Sequence, residues 1–312
     1  MRILVTGGAG FIGSHTVDAL IAAGGHQVAV IDNLAAGKRD QINPGARFYE
    51  ADLRDAGRMR AIAAAERPEA IVHFAAQMDV RRSVADPAFD AEVNLVGFLN
   101  LIEAARAHAL RRVVFASTGG AIYGEQEAFP ADESHPCRPV SPYGVAKFAT
   151  ESYLFFYRAQ YGIDYAAMRY ANVYGPRQDP HGEAGVVAIF CARLLEGKPA
   201  TIFGDGEQTR DYVYVGDVVR ANVAALTAPA GGAINIGTGI ETSVNLLYRR
   251  LADAAGVAAA PEYAPARPGE QMRSAISAAR AARELGWRPE VALDEGLGRT
   301  FAYFRERFAR TR

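Results

Sequence analysis

The chain has 312 residues, half of them hydrophobic and 22% charged, which is ordinary for a soluble globular protein with one large or two modest cores. Lys and Arg total 34 against 35 for Asp and Glu, so there is no basic field for nucleic acid and no polybasic run for a membrane surface. Cys137 and Cys191 show neither metal-ligand spacing nor a disulfide framework. No signal peptide precedes the first apolar run, and no run reaches the eighteen or so residues of a membrane helix, so the chain reads as cytoplasmic and without a metal.

The first half alternates short β-rich runs with helical patterns, which predicts an α/β fold with a parallel sheet. Strands are expected at Arg2 to Thr6, Gln27 to Ile31, Arg47 to Glu50, Ala70 to Phe74, Arg112 to Ala116 and Asp164 to Arg169. Helices are expected near Ile12 to Ala23, Gly57 to Glu66, Phe89 to His108 and Tyr143 to Tyr161, long enough to serve as crossovers. After about Tyr170, Gly and Pro become frequent and periodic segments shorten. That predicts a smaller, loop-rich second domain over residues 171–312, covering the cleft of a first domain over 1–170, with some later segments packing back onto it.

Gly8-Ala9-Gly10-Phe11-Ile12-Gly13 satisfies G-x-G-x-x-G directly after the first strand and at the opening of a helix, and Gly7, Gly10 and Gly13 stand three apart. Glycines there permit a tight turn and close approach of backbone to a pyrophosphate, and the helix N-terminus offers N–H groups to the anion. Asp32 ends the second strand at about the expected twenty-residue separation. A carboxylate there accepts from a ribose 2′-hydroxyl and repels a 2′-phosphate, which favours NAD over NADP. Lys38 and Arg39 follow closely and are read as a solvated loop. The bland alternative is a glycine-rich turn with no ligand.

Tyr143 and Lys147 stand at i and i+4, so on a helix they share a face. With three lysines and 14 tyrosines, such a pair arises by chance in roughly one chain in eight, so its weight comes from its place after the fifth strand. A phenol of pKa about 10 must lose roughly three units, about 4 kcal/mol, to be half ionised at neutrality. A neighbouring ammonium and a positive nicotinamide ring both favour the phenolate. Lysine also suits donation to ribose hydroxyls as a compact cation, whereas arginine fills nearly every other basic position.

Thr6 to Gly13 together with Tyr143-x-x-x-Lys147 resembles the extended short-chain dehydrogenase/reductases, and more narrowly the UDP-glucose 4-epimerase group of nucleotide-sugar epimerases. The resemblance covers nearly the whole chain. It runs through Asp52-Leu53, His73 to Gln77, Asn94, Arg169 to Pro176, Thr209 to Asp217, Arg267-Pro268-Gly269-Glu270 and Glu284 to Trp287.

It implies a Rossmann-type doubly wound parallel sheet with a smaller, loop-rich α/β C-terminal substrate domain, and NAD as cofactor. By position, Gly7, Gly10, Phe11, Ile12 and Gly13 would line the pyrophosphate, Asp32 and Asn33 the adenosine ribose, and Asp52 and Leu53 the adenine. Ala75 and Gln77 would flank the inner phosphates and nicotinamide ribose, and Asn94 would also belong to the cofactor site. Asn172 and Arg210 would hold a substrate diphosphate, with Arg267 as a second clamp, Glu270 on the uridine ribose, and Val187 and Phe203 walling the base. Ser274 falls at the position that gates the sugar pocket, and a small residue there admits N-acetylhexosamines. Arginines answer phosphate bidentately and an acid suits ribose hydroxyls, in keeping with those roles. The helices from Phe89 and Tyr143 resemble those that pair in the family's homodimer.

One departure matters. Aligned on Tyr123-Gly124, Gly119 stands where the family carries its third catalytic hydroxyl. Thr118 or Ser117 must then donate to the sugar oxygen, with Thr118 favoured and Ser117 nearer the nicotinamide. Gly119-Gly120-Ala121 also lacks the acidic pair of the related dehydratases and the glutamate of the related decarboxylases. The chemistry expected is therefore oxidation and re-reduction at C4 of a UDP-sugar, the isomerase reaction linking UDP-glucose and UDP-galactose, with Tyr143, Lys147 and Thr118 as catalytic groups. A uronate epimerase using Arg81 and Arg82, a decarboxylase or net-redox enzyme on the same scaffold, and a non-catalytic NAD-responsive module are the alternatives.

Overall fold

The β-branched and apolar runs of the first half form one parallel sheet. The computed structural model describes residues 1–180, 185–229, 231–257, 260–266 and 271–310. The first half runs β1 (Arg2–Thr6), α1 (Phe11–Ala23), β2 (Gln27–Asp32), β3 (Arg47–Glu50), α2 (Ala56–Glu66), β4 (Ala70–His73), α3 (Val80–Ala85) and α4 (Pro87–Ala91). A π-helical stretch (Glu92–Val96) then leads into α5 (Gly97–Arg106), β5 (Arg112–Thr118), α6 (Gly119–Ile122), α7 (Pro142–Tyr161) and β6 (Asp164–Tyr170). There follow β7 (Asn172–Tyr174), α8 (Val186–Leu195), β8 (Thr201–Phe203), β9 (Thr209–Tyr214), α9 (Val215–Thr227), β10 (Gly232–Ile236) and β11 (Glu241–Ser243). The chain closes with α10 (Val244–Ala255), β12 (Glu262–Ala264), α11 (Ala279–Glu284) and α12 (Leu293–Arg310).

The main sheet has the order β10-β6-β5-β4-β1-β2-β3 with parallel pairing throughout. The strand order reverses between β1 and β4, and in such sheets the crevice at the carboxyl ends of those strands receives the ligand. Two apolar clusters bury the two faces. Val5, Val17 and Val72 belong to one, and Leu4, Ile71 and Phe115 to the other, as expected where alternate residues of each strand point to opposite sides.

The structure departs from the expected elements in three places. β5 continues to Thr118 because β6 pairs with it to the end, Ser117 opposite Arg169 and Thr118 opposite Tyr170. The single helix expected from Phe89 to His108 begins earlier, at Pro87, capped by the Asp86 carboxylate, and is interrupted by the π-helical stretch. There Asn94 turns inward to the loop after β4, and Gly97 follows at a point where a Cβ would meet Leu53 Cβ at 3.0 Å. The seventh strand, β10, is not among those expected. It comes from the loop-rich half and returns to the main sheet beside β6.

Beyond the sheet, β9 joins β7 in parallel and β11 antiparallel, β8 pairs with β12, and α8, α10 and α12 enclose a third apolar cluster. No helix among the described residues is long and apolar enough to cross a membrane.

Candidate active site

The glycine loop is shaped by close approaches that no side chain would permit. Gly7 takes a left-handed conformation (φ +68°), where a Cβ would lie 2.6 Å from the Ala75 nitrogen. A Cβ on Gly13 would lie 2.1 Å from the Gly7 carbonyl oxygen. The loop therefore packs directly on the segment after β4, and α1 starts tight against it. The first turn of α1, with Phe11, Ile12 and Gly13, has no side-chain cap and no acidic residue. Its leading N–H groups and positive dipole end suit a phosphate, so the residues present fit a dinucleotide pyrophosphate.

Asp32 is buried at the end of β2, where its carboxylate is engaged by the backbone on both sides. Its Oδ2 accepts from Ala9 N (3.0 Å) and its Oδ1 from Leu34 N (2.9 Å), stitching the glycine loop to the following turn. Burial raises its pKa and those two hydrogen bonds oppose the rise. Asn33 is exposed and donates to Asp52 (3.1 Å), whose carboxyl is held down at about 2, chiefly by the Arg54 guanidinium. Leu53 sends its side chain into the core, so any contact it offers an adenine is through its backbone.

Ala75 N donates to Thr6 Oγ1 (3.3 Å), and Thr6 Oγ1 in turn meets His73 Nδ1 (2.7 Å). Gln77 is held by a closed network. Its N donates to Asn94 Oδ1 (2.8 Å), its carbonyl accepts from Asn94 Nδ2 (2.9 Å), and its Nε2 donates to Asp90 Oδ1 (3.0 Å). Asn94 Nδ2 also reaches Asp90 Oδ1 (2.9 Å). Asn94 thus acts on the loop carrying Ala75 and Gln77 from behind.

Ser141 caps α7, accepting from Gly144 N (3.2 Å), with Pro142 in the first turn, and this launches Tyr143 and Lys147 onto one face. Lys147 Nζ donates to the Ala116 carbonyl (2.9 Å) and stands 4.8 Å from the Phe115 ring centre and 5.7 Å from that of Tyr143. Burial brings its amine down to about 8, and Asp90 opposes that fall. Burial first, and Asp90 second, push the Tyr143 phenol above its usual value. With the protein groups alone, then, burial and Asp90 keep the phenol protonated.

Strand alternation sends Ser117 and Thr118 to opposite faces of β5. Ser117 is 3% exposed and its Oγ donates to Glu151 Oε1 (2.6 Å). Glu151 also receives Arg169 in a two-pronged contact, Nε at 3.0 Å and Nη2 at 2.6 Å, and Arg169 Nη1 reaches Tyr123 Oη at 3.0 Å. Thr118 is half-buried, and its hydroxyl has no hydrogen-bond partner among the described residues. A Cβ on Gly119 would lie 2.7 Å from Ile276 Cδ1, so Ile276, from the far end of the chain, would have to shift to admit a side chain there.

The substrate-side residues are more scattered. Asn172 opens β7, its Oδ1 3.9 Å from where a Gly120 Cβ would stand, so it lies beside α6 and the Thr118 turn. Arg210 is half-buried on β9 and donates to the Thr209 carbonyl (2.8 Å). Val187 is buried in the third cluster, and Phe203 is half-buried at the end of β8. Ser274 is 4% exposed, and its neighbour Ala275 N donates to Gln126 Oε1 (3.0 Å). Arg267 and Glu270 lie outside the described residues. Arg81 and Arg82 are exposed on α3, one 3.9 Å from Asp79 and the other stacked on Phe89, which gives them no special claim on a substrate carboxylate.

A bare helix N-terminus at the strand-order reversal, with a Tyr–Lys pair on α7 set against the end of β5, defines a dinucleotide-dependent enzyme acting on a hydroxyl or carbonyl. Residues 3–237 match the family model described as the NAD dependent epimerase/dehydratase family. The chain is 49% identical to a UDP-glucose 4-epimerase of Mycolicibacterium smegmatis, over 98% of this chain and 99% of that protein. It is 50% identical to the UDP-glucose 4-epimerase of Thermotoga maritima solved with UDP-glucose, with a TM-score of 0.96 over 99% of this chain and 100% of that one. It is also 50% identical to the Thermus thermophilus UDP-glucose 4-epimerase in complex with NAD, with a TM-score of 0.92 over 98% and 99% of the two chains. The chain belongs to the NAD dependent epimerase/dehydratase family.

Proposed function

We propose that this protein is a cytoplasmic, homodimeric, NAD-dependent epimerase that interconverts UDP-glucose and UDP-galactose. The observation that carries this reading is buried Lys147 and half-buried Tyr143 set together against the end of β5, in a chain half identical over its length to UDP-glucose 4-epimerases. Residues 1–170 carry the cofactor and 171–312 the nucleotide-sugar. Cys137 and Cys191 are free thiols, in keeping with a reducing compartment.

NAD, when bound, supplies a reversible hydride acceptor at the sugar C4, so the sugar is oxidised and reduced again with no net redox change. The glycine loop and the N-terminus of α1 hold its pyrophosphate, and Asp32 its adenosine ribose. Tyr143 takes the proton of the 4-hydroxyl and later returns it to the 4-keto sugar. Lys147 supports the tyrosine's ionised form. Thr118, whose hydroxyl is uncommitted, orients the reacting oxygen, while the Ser117 hydroxyl is engaged by Glu151. Asn172 and Arg210, with Arg267 and Glu270, hold the UDP moiety, and the small Ser274 leaves the pocket open to UDP-N-acetylhexosamines.

The test is incubation with UDP-galactose and catalytic NAD⁺, with UDP-glucose followed by chromatography and no reductant added. An equilibrium mixture without accumulating NADH is expected. No conversion by folded, NAD-loaded protein would overturn the glucose–galactose assignment and direct the search to uronates and N-acetylated sugars.

The dimer reading rests on an apolar outer face. Val145, Phe148, Phe155 and Phe156 are exposed on α7, at 53%, 36%, 64% and 45%, and Val84 on α3 and Val96 before α5 are exposed beside them. A patch of that kind on helices that pack together is the usual mark of a protein interface. Sedimentation is expected to give a dimer for the natural chain and a monomer for Phe155→Glu. A monomeric natural chain at micromolar concentration would remove this part of the reading.

A further inference from the structure

Asp90 has no assigned role and an unusual setting. It is 1% exposed on α4, which packs against α7. Its Oδ1 accepts from both Gln77 Nε2 and Asn94 Nδ2, and its Oδ2 is buried with no hydrogen-bond partner among the described residues. A buried carboxylate oxygen without a hydrogen bond is costly, so its presence calls for a compensating charge nearby.

The titratable groups around Lys147 can be counted by element. Tyr143 and Glu151 stand one turn away on either side along α7, His73 comes from β4 and Asp90 from α4. Glu151 is consumed by Arg169 from β6 and Ser117 from β5. His73 is buried and pushed down to about 3, by desolvation and then by Lys147, so it brings no positive charge. Arg81 and Arg82 on α3 and Glu92 in the π-helical stretch are exposed. Among the described residues Asp90 is left as the counter-charge inside the site, and its field acts on Lys147 and Tyr143 alike.

We propose that Asp90 is a positioning residue whose buried charge, brought against α7 by the packing of α4, favours the ammonium form of Lys147 without a direct ion pair, while its Oδ1 fixes the Gln77 loop. Its negative charge also restrains Tyr143, so Asp90 sets the pH at which the pair works. This deepens the epimerase reading and depends on it only for the kinetic consequence.

The signs are fixed by electrostatics. Asp90→Asn keeps the shape and an acceptor for Gln77 and Asn94 but removes the charge. A cation then loses its proton more easily and a phenolate forms more easily, so both titrations move to lower pH. The chain has three lysines, Lys38, Lys147 and Lys198, so lysine labelled with ¹³C at Cε gives three signals, and Lys147→Met assigns the relevant one. In the full chain, with and without NAD, the Lys147 midpoint is expected to fall by about one pH unit in Asp90→Asn. Both limbs of the kcat profile should move in the same direction. Asp90→Ser provides a second neutral variant should the first fail to fold. An unchanged Lys147 midpoint in a folded neutral variant overturns the proposal, whatever the activity. A purely structural role would lower kcat without moving either the midpoint or the limbs. A shifted midpoint in a chain that converts no UDP-galactose would uphold the electrostatic role and reject the epimerase reading instead.

Discussion

Tyr143→Phe is expected to lower kcat for UDP-galactose by about a thousandfold, with NAD content and thermal midpoint close to those of the natural chain. In the proposed reaction the phenol carries the proton that leaves and rejoins the sugar oxygen, and phenylalanine keeps the ring while removing the phenol oxygen. Tyr143 makes no side-chain hydrogen bond among the described residues, so the fold loses little with it. Burial and Asp90 hold the phenol up, and the positive nicotinamide ring is the group that can bring it down. The ionised tyrosine is present at higher pH and lost as pH falls, which assigns the acidic limb of kcat to Tyr143. The alkaline limb belongs to Lys147, whose charge is lost as pH rises through about 8. A full-rate Tyr143→Phe variant would remove the tyrosine from the mechanism.

Arg169→Met is expected to destabilise the chain by about 3–5 kcal/mol, because it leaves Glu151 buried without its partner. Side-chain exposure at the pair is 5% and 8%, so water cannot take the place of the lost charge. Burial pulls the Arg169 guanidinium down, and the Glu151 contact more than reverses it. The net value of the intact pair is far smaller than the loss from breaking it, since both ions are desolvated on folding. The double variant Glu151→Met with Arg169→Met should therefore recover most of the lost stability. Urea unfolding midpoints of the two single variants and the double variant measure this directly. Single variants within 1 kcal/mol of the natural chain, or a double variant no better than either, would contradict it.

What could be read from the residues alone follows from how local each constraint is. Gly7, Gly10 and Gly13 announce themselves because their conformations and close contacts exclude side chains, and Asp32 follows at a spacing set by one strand–helix–strand unit. Tyr143 and Lys147 are one helical turn apart, so a face-sharing argument reaches them. Glu151 is the next turn on that same face, yet an acid on a helix ordinarily reads as solvated, and its partner Arg169 comes from another element. Asp90 escapes notice for the same reason: it looks like any helix acid until Gln77 and Asn94 close around it. Gly119 is explained by Ile276, more than 150 residues later, a contact no local pattern carries. Arg82 is a charge near a motif whose guanidinium stacks on Phe89 at the surface, a contact that sequence spacing does not carry.

The late return of β10 governs how this protein must be made. When the ribosome has finished β6, that strand is still an open edge, and Tyr123, which already meets Arg169, lacks the Asn235 oxygen that accepts its hydroxyl at 2.7 Å. Roughly sixty residues must still be synthesised before β10 begins, which at ordinary elongation rates takes about 3–12 s. Through that interval the half-finished sheet exposes unpaired backbone and a buried polar cluster that is incomplete, the combination that recruits chaperones or other nascent chains. The strand that closes the β6 edge is thus the last of the sheet to arrive.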